Sequence, residues 1–236
     1  MVTTSRGGGR DVYWASYYGE VVAEGTPWLD HSNSRVQAQN FATSLEAAGS
    51  LLGSRCLDVG CGWGQLTRLA ADMGARQAVG MDIVPDLVEE LRLRHPEQSW
   101  VCGSPDDPHV LASLGGFDVV FAIEVLQYVP FVDAVRVLWE AVLPGGRLVV
   151  LVPNGACPIV QRTQERFEHK YESPEVEDIE RAIAVLPDVA ASGIRSMAFG
   201  VDQSIAPYTV SPWGEPLRQE AVPNRLQFVV VREEQK

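Results

Sequence analysis

Basic residues are scarce in this chain. Lys and Arg number 19 against 31 Asp and Glu, a formal net charge of −12, and nowhere do the cations cluster. A nucleic-acid surface needs a basic footprint to displace counterions from the phosphate backbone. The charge balance therefore points away from DNA and RNA and towards a small-molecule or protein substrate. Long apolar runs are missing too. The best candidate, Val119 to Leu126, is broken by charge within a few residues, so no membrane crossing is expected. The opening MVTTSRGGGR lacks the apolar core of a secretory signal and reads as a flexible tail over residues 1–10. The four cysteines, Cys56, Cys61, Cys102 and Cys157, form no CxxC pair. Three lie in or beside apolar strand-like segments and read as buried free thiols, which suits a reducing cytoplasm.

What is present is ordinary for a globular protein, with 46% hydrophobic and 21% charged residues. The 236 residues accommodate one sizeable α/β domain over 11–236 and leave little room for a second. It divides into an N-terminal cap and helix (11–53), a ligand-binding core (54–153), and a substrate-side segment with the final strands (154–236). Within the core, short apolar runs alternate with helix-period stretches, as in repeated βα units around a parallel sheet. Strands are expected at Arg55–Val59, Ala78–Asp82, Ser99–Gly103, Phe117–Ile123 and Gly146–Pro153. Helical stripes appear in Phe41, Leu45, Ala48 and Leu52, in Leu66, Leu69, Ala70 and Met73, and in Val135, Leu138, Trp139 and Val142. Val176, Ile179, Ile183 and Leu186 suggest a later helix, and LQFVVVRE a last strand. Residues 154–173 fit neither period and read as a loop or irregular lid.

The strongest signal is LDVGCGWGQL, Leu57 to Leu66. An apolar strand ends at Asp58, glycines follow at Gly60, Gly62 and Gly64, and a helix begins. Glycines serve where the backbone turns sharply and a ligand approaches closely. The helix N-terminus offers amides to a carboxylate or phosphate. Two ligands compete for such a loop. A dinucleotide wants GxGxxG, but Gln65 occupies the position after Gly64 and the spacing is GxGxG. An acid before the first glycine would repel phosphates, whereas it suits an ammonium. S-adenosylmethionine carries both an ammonium and a carboxylate.

Asp58, Gly60, Gly62 and Gly64 together resemble motif I of the class I S-adenosylmethionine-dependent methyltransferases, and the resemblance extends from about Arg55 to Val152. It implies a Rossmann-like, seven-stranded, mostly parallel sheet of order 3-2-1-4-5-7-6 flanked by helices, the last strand antiparallel. It assigns Asp82, at the end of the second strand, to both ribose hydroxyls, with Ile83 beside it. A simpler reading has Asp82 capping the helix that starts near Pro85. At the end of the third strand, similar enzymes place an acid for the adenine amino group. Here the matching position is Ser104, followed by Pro105, which has no N–H. Either Asp106 takes over, or packing and Ser104 hold the adenine.

The segment AIEVLQYVP, Ala122 to Pro130, resembles that of the ubiquinone-type O-methyltransferases. By that likeness Ile123 touches the adenosyl group and Glu124 sits at the mouth of the site. Where relatives have Glu-x-x-Glu-His, this chain has Glu124, Gln127 and Tyr128, a poor donor set for a divalent metal, so no metal is expected. Glu124 and Tyr128 are the candidate catalytic groups. The phenol could steer a nucleophile, but an ordinary value of about 10 makes it an inefficient base; packing alone would also explain it.

Arg35, in SNSR before the first long helix, is the candidate for the donor carboxylate. Trp14, Tyr17, Tyr18 and Trp28 could cover the sulfonium, whose charge aromatic faces attract. His31, His109 and His169 read as solvated. Asp202, Tyr208 and Trp213 are further candidates for the pocket. The expected activity is methyl transfer to oxygen or nitrogen, rather than carbon, of a small organic acceptor. Rivals are a donor-binding protein with a regulatory or non-methylating role and a nicotinamide-dependent oxidoreductase.

Overall fold

Eight strands form one sheet in the computed structural model, which describes residues 8–23, 34–167, 171–198, 209–215 and 223–235. The strands are β1 (Arg55–Val59), β2 (Gln77–Asp82), β3 (Ser99–Cys102), β4 (Phe117–Ile123), β5 (Val142–Pro153), β6 (Val189–Ala198), β7 (Thr209–Val210) and β8 (Arg225–Arg232). Their order is β3-β2-β1-β4-β5-β8-β6-β7. The first five are parallel, and β8 runs antiparallel between β5 and β6. The expected order thus holds for seven strands. The eighth, β7, adds two residues at the edge through Met197↔Val210 and Ala198↔Thr209, too short a run to show a period in sequence.

Alternation along the central strands explains the two helical layers. Leu57 and Val59, Val120 and Ala122, and Leu148, Val150 and Val152 all fall in one buried cluster. Cys56, Phe121, Ile123, Val149 and Leu151 fall in another. Strands buried on both faces must be covered on both. The first face packs on α6 (Phe131–Glu140), which buries Ala134, Val135, Val137, Leu138 and Trp139, and on α8 (Val176–Ala184). The second is covered by α2 (Ser34–Ala48) and α3 (Gln65–Asp72). Each fully buried large aliphatic contributes roughly 1.5–3 kcal/mol.

Local signals set the remaining helices. In α4 (Pro85–Arg94), Pro85 opens the first turn, Asp86 follows it, and Arg92 and Arg94 close the last. In α5 (Pro108–Leu114) the Asp107 carboxylate accepts from the amides of His109 and Val110. Glu175 and Asp178 form a capping box on α8. An aromatic helix, α1 (Gly8–Ala23), starts inside the expected tail.

Several expectations need correcting. The stretch read as a loop contains α7 (Pro158–Arg166), whose mostly polar sequence buries only Val160 and so shows no stripe. β5 starts at Val142 rather than Gly146, because Val142 pairs with Phe117 ahead of a register shift. Leu52, Leu69 and Met73 are exposed despite their helical spacing. All four cysteines are free thiols, but Cys102 is exposed.

Candidate active site

β1 continues to β2 on one side, while β4 lies on its other side, so the sheet reverses direction between β1 and β4. In open α/β sheets ligands bind at such a switch point, outside the carboxyl ends of the strands. A cavity of about 420 Å³ opens there, lined by the ends of β1, β2 and β4, the glycine loop, and residues of α1 and α2. That volume is within the range of small-molecule sites.

The glycine loop is fixed by contacts across one βαβ unit. Gly60 has φ +68, and a Cβ there would lie 2.4 Å from Val125 Cγ2. Its amide donates to the Met81 carbonyl at 2.7 Å. Gly62 donates to Asp82 Oδ2 at 2.9 Å, and Val84 N–H to Asp82 Oδ1 at 3.1 Å. Asp82 therefore bonds the start of α4 and the glycine loop at once, and it also lines the cavity. Burial pushes its carboxyl up while these amides pull it down. A carboxylate has about four acceptor sites, so capacity remains for a ligand diol.

Asp58 is more conspicuous. It lies on the cavity wall, buried, and accepts from Thr67 Oγ1 at 2.7 Å. Among the described residues it makes no ion pair. Burial pushes its carboxyl up to about 7, against the pull of Thr67. An incoming ammonium would relieve that burden.

Ile83 and Ile123 also line the cavity. Gly64 and Ser104 do not. Gly64, at φ +70, needs its missing Cβ for packing, since one would fall 2.3 Å from the Trp100 ring. Ser104 is buried and donates to Asp106; the wall at that edge is Gly103 and Pro105. Arg35 falls in the first turn of α2, and its side chain lies outside the described residues, as do Trp28, His31, His169, Asp202 and Tyr208. Trp213 is placed away from the cavity, stacked on Arg195 at 4.2 Å. His109 is exposed on α5.

Glu124 sits just past β4 with φ +57, a region that non-glycine residues seldom enter. Its amide donates to the Leu151 carbonyl at 2.8 Å, its carbonyl accepts from Gln127 Nε2, and its carboxylate pairs with Arg225 Nε. Burial raises the Glu124 carboxyl and Arg225 opposes the rise. Tyr128 accepts from the Tyr18 hydroxyl at 2.6 Å. Burial pushes both phenols up, which makes them poorer bases still. Trp14, Tyr17, Tyr18, Phe167 and Tyr171 complete this end.

Sequence reasoning missed Arg225, Phe167 and Tyr171, and treated Gln127 only as a lost metal ligand. The signal for Arg225 was available. An antiparallel last strand beside β5 brings its first residue to the strand ends, and Arg225 does pair with Pro153. Among the described residues no group of three His, Cys, Asp or Glu side chains is placed to hold a metal.

Residues 57–150 match the family described as "Methyltransferase domain". With the sheet order and the glycine loop, this makes the chain the bearer of a class I, S-adenosylmethionine-dependent methyltransferase domain. Among named relatives it is 34% identical over 129 residues to a ubiquinone biosynthesis O-methyltransferase of Xanthomonas euvesicatoria pv. vesicatoria (strain 85-10), over 52% of each chain. A second from Xanthomonas oryzae pv. oryzae (strain PXO99A) is 37% identical over 115 residues, 47% of each. The chain thus spans about half the length of the curated relatives it matches. Among solved structures it is similar to magnesium protoporphyrin IX methyltransferase from Synechocystis PCC 6803 with bound S-adenosylhomocysteine (TM-score 0.62, 16% identity, 94% and 99% coverage). It is also similar to an N-methyltransferase from Bradyrhizobium japonicum WM9 in complex with S-adenosyl-L-homocysteine (TM-score 0.59, 19% identity, 88% and 92% coverage). At these identities the structural likeness speaks for the fold. No helix of the described residues is long and apolar enough to cross a membrane.

Proposed function

We propose that this chain, a single domain over 11–236, transfers the methyl group of S-adenosylmethionine to an oxygen or nitrogen of a small organic acceptor, in the cytoplasm and without a metal. The carrying observation is Asp58: a buried carboxylate on the cavity wall, with no ion pair among the described residues and a carboxyl raised to about 7. A pyrophosphate would aggravate that charge, whereas an ammonium would satisfy it. The donor, when bound, supplies an electrophilic methyl carbon on a sulfonium that leaves as a thioether.

The chain's own residues hold and align. Asp58 would take the ammonium, with Arg35 the candidate for the carboxylate. Asp82, already oriented by two backbone amides, would take the ribose hydroxyls, while Ile83 and Ile123 pack on the adenosyl faces. Ser104 would act there only indirectly, from behind Gly103 and Pro105. Because the leaving group is already good, rate comes from in-line alignment and water exclusion. The aromatic wall supplies the exclusion. Glu124 and Tyr128 would touch the acceptor as orienting groups. Gln127 and Tyr128, an amide and a phenol, leave Glu124 as the lone carboxylate at that end, which favours positioning over metal chemistry. The names of the relatives, O- and N-methyltransferases, support oxygen and nitrogen as acceptor atoms.

Calorimetric titration with S-adenosylhomocysteine and, separately, NAD(H) tests the reading. Micromolar binding of the former alone is expected. Binding of the dinucleotide, or of neither, would overturn it. Formation of S-adenosylhomocysteine from the donor and an acceptor then separates an enzyme from a regulatory binder.

A further inference from the structure

Away from the glycine loop, the cavity contains a polar atom with nothing to bind. Gln127 is only 1% exposed. Its Nε2 donates to the Glu124 carbonyl at 2.8 Å, which fixes the orientation of the amide. Its Oε1 is left without a partner in a residue that lines the cavity. A buried acceptor left unmade is unfavourable, so the group that fills this end should bring an N–H or O–H.

Two further observations choose between them. Aromatic rings surround the position: Trp14 lies 4.5 Å from Tyr128 and 5.3 Å from Phe167, and Tyr128 lies 5.5 Å from Tyr171, centroid to centroid. Ring faces attract cations, the more so when desolvated. The charged side chains among the described wall residues are Asp58, Asp82, Glu124 and Arg225, a net of two negative charges. S-adenosylmethionine, with ammonium, sulfonium and carboxylate, returns one positive charge. One negative charge is left over in a buried setting, and Arg225, bonded to Glu124 and to the Asn224 carbonyl, is poorly placed to welcome an anion.

Resting on the methyl-transfer reading, we propose that the acceptor is an amine on a small apolar or aromatic body, with its N–H directed at Gln127 Oε1 and its positive charge held between the aromatic rings and Glu124. The ammonium first passes a proton to the Glu124 carboxylate. The nitrogen lone pair then forms the N–C bond as the methyl–sulfur bond breaks, and that bonding pair goes to sulfur. The product leaves as a methylammonium, and Glu124 returns its proton to solvent. An alcohol would satisfy Gln127 but leave the charge uncompensated.

The test uses the full chain saturated with S-adenosylhomocysteine and titrated with phenethylamine, 2-phenylethanol and phenylacetate, which share a ring and chain and differ in the terminal group. The amine is expected to bind at least tenfold more tightly than the alcohol, with the carboxylate weakest. Gln127→Leu should reduce amine affinity about tenfold. Gln127→Glu, which keeps an acceptor oxygen, should restore it, with thermal unfolding as the check that both variants fold. Equal or tighter binding of the alcohol or carboxylate, or no binding of any of the three, overturns the amine inference and leaves the donor site standing. Failure to bind S-adenosylhomocysteine, seen before any probe is added, overturns the methyl-transfer reading itself.

Discussion

The two ends of the cavity are built in different ways. At the glycine loop, partners are close in sequence: Gly62 bonds Asp82 across 20 residues, and Thr67 bonds Asp58 across 9. At the far end, Tyr18 meets Tyr128 across 110 residues and Glu124 meets Arg225 across 101. The first end is a property of one βαβ unit and is completed when β1 and β2 pair. The second exists only once α1, the turn after β4, α7 and β8 have all arrived. Backbone amides and short acidic side chains dominate the first; long aromatic side chains dominate the second. Rigid local parts suit a donor that never changes. Parts gathered from separate elements can change the acceptor without disturbing it.

Breaking the local end should have the largest effect. Gly60→Val adds side-chain atoms where even a Cβ would be 2.4 Å from Val125, at φ +68. Left-handed strain and overpacking together should remove about 3 kcal/mol of stability and abolish measurable S-adenosylhomocysteine binding. Thermal unfolding and calorimetry on one preparation check both. Retained micromolar binding would show that the loop tolerates a shift and that its geometry is not what selects the ligand. Asp82→Ala comes next. Losing a charged acceptor is worth roughly 1.5–3 kcal/mol, so donor-product affinity should fall ten- to hundredfold.

The same contrast explains what could be read without coordinates. Asp58, Gly60, Gly62 and Asp82 were legible because ligand chemistry and fold chemistry coincide there within 25 residues. Gly64 was singled out for the ligand, yet it is glycine because Trp100 on β3 occupies the space of a Cβ; no spacing rule reveals that neighbour. Arg225 and Gln127 were hidden for another reason. Nothing in NRLQF marks its arginine as internal until β8 is laid against β5. A glutamine becomes informative only when one end of its amide is seen to be satisfied and the other not. The helix α7 escaped because a polar helix with one buried residue shows no stripe.

A pH titration sharpens the comparison at the donor end. The Asp58 carboxyl rises from 3.8 in an unfolded chain to about 7 in the fold, so the folded state holds the proton more tightly. Its contribution to stability is full below about 4 and is lost as pH climbs through about 7. Ligand binding runs the other way, because an ammonium needs the ionised carboxylate. Below about 7, binding must release a proton, and S-adenosylhomocysteine affinity should fall by up to tenfold per pH unit. Asp58→Asn should flatten this slope and weaken binding above pH 7. A slope that survives the substitution would place the titrating group elsewhere.

The smallest expected effect is the most discriminating. Tyr18→Phe removes the O–H that donates to Tyr128 at 2.6 Å and leaves the ring, so packing against Trp14 and Tyr128 persists. The buried Tyr128 oxygen loses one donor, a change of about 1 kcal/mol, or roughly fivefold. If the cavity divides as described, that loss appears in the KM of the acceptor, and donor affinity moves less than twofold. Tyr18 reaches Tyr128 from α1, an element that shares no strand or loop with the donor site, and only the acceptor's position depends on how the two hydroxyls hold each other. A donor affinity weakened as much as the acceptor KM would mean that α1 closes over both ligands together, and that the aromatic wall belongs to the donor as much as to the acceptor.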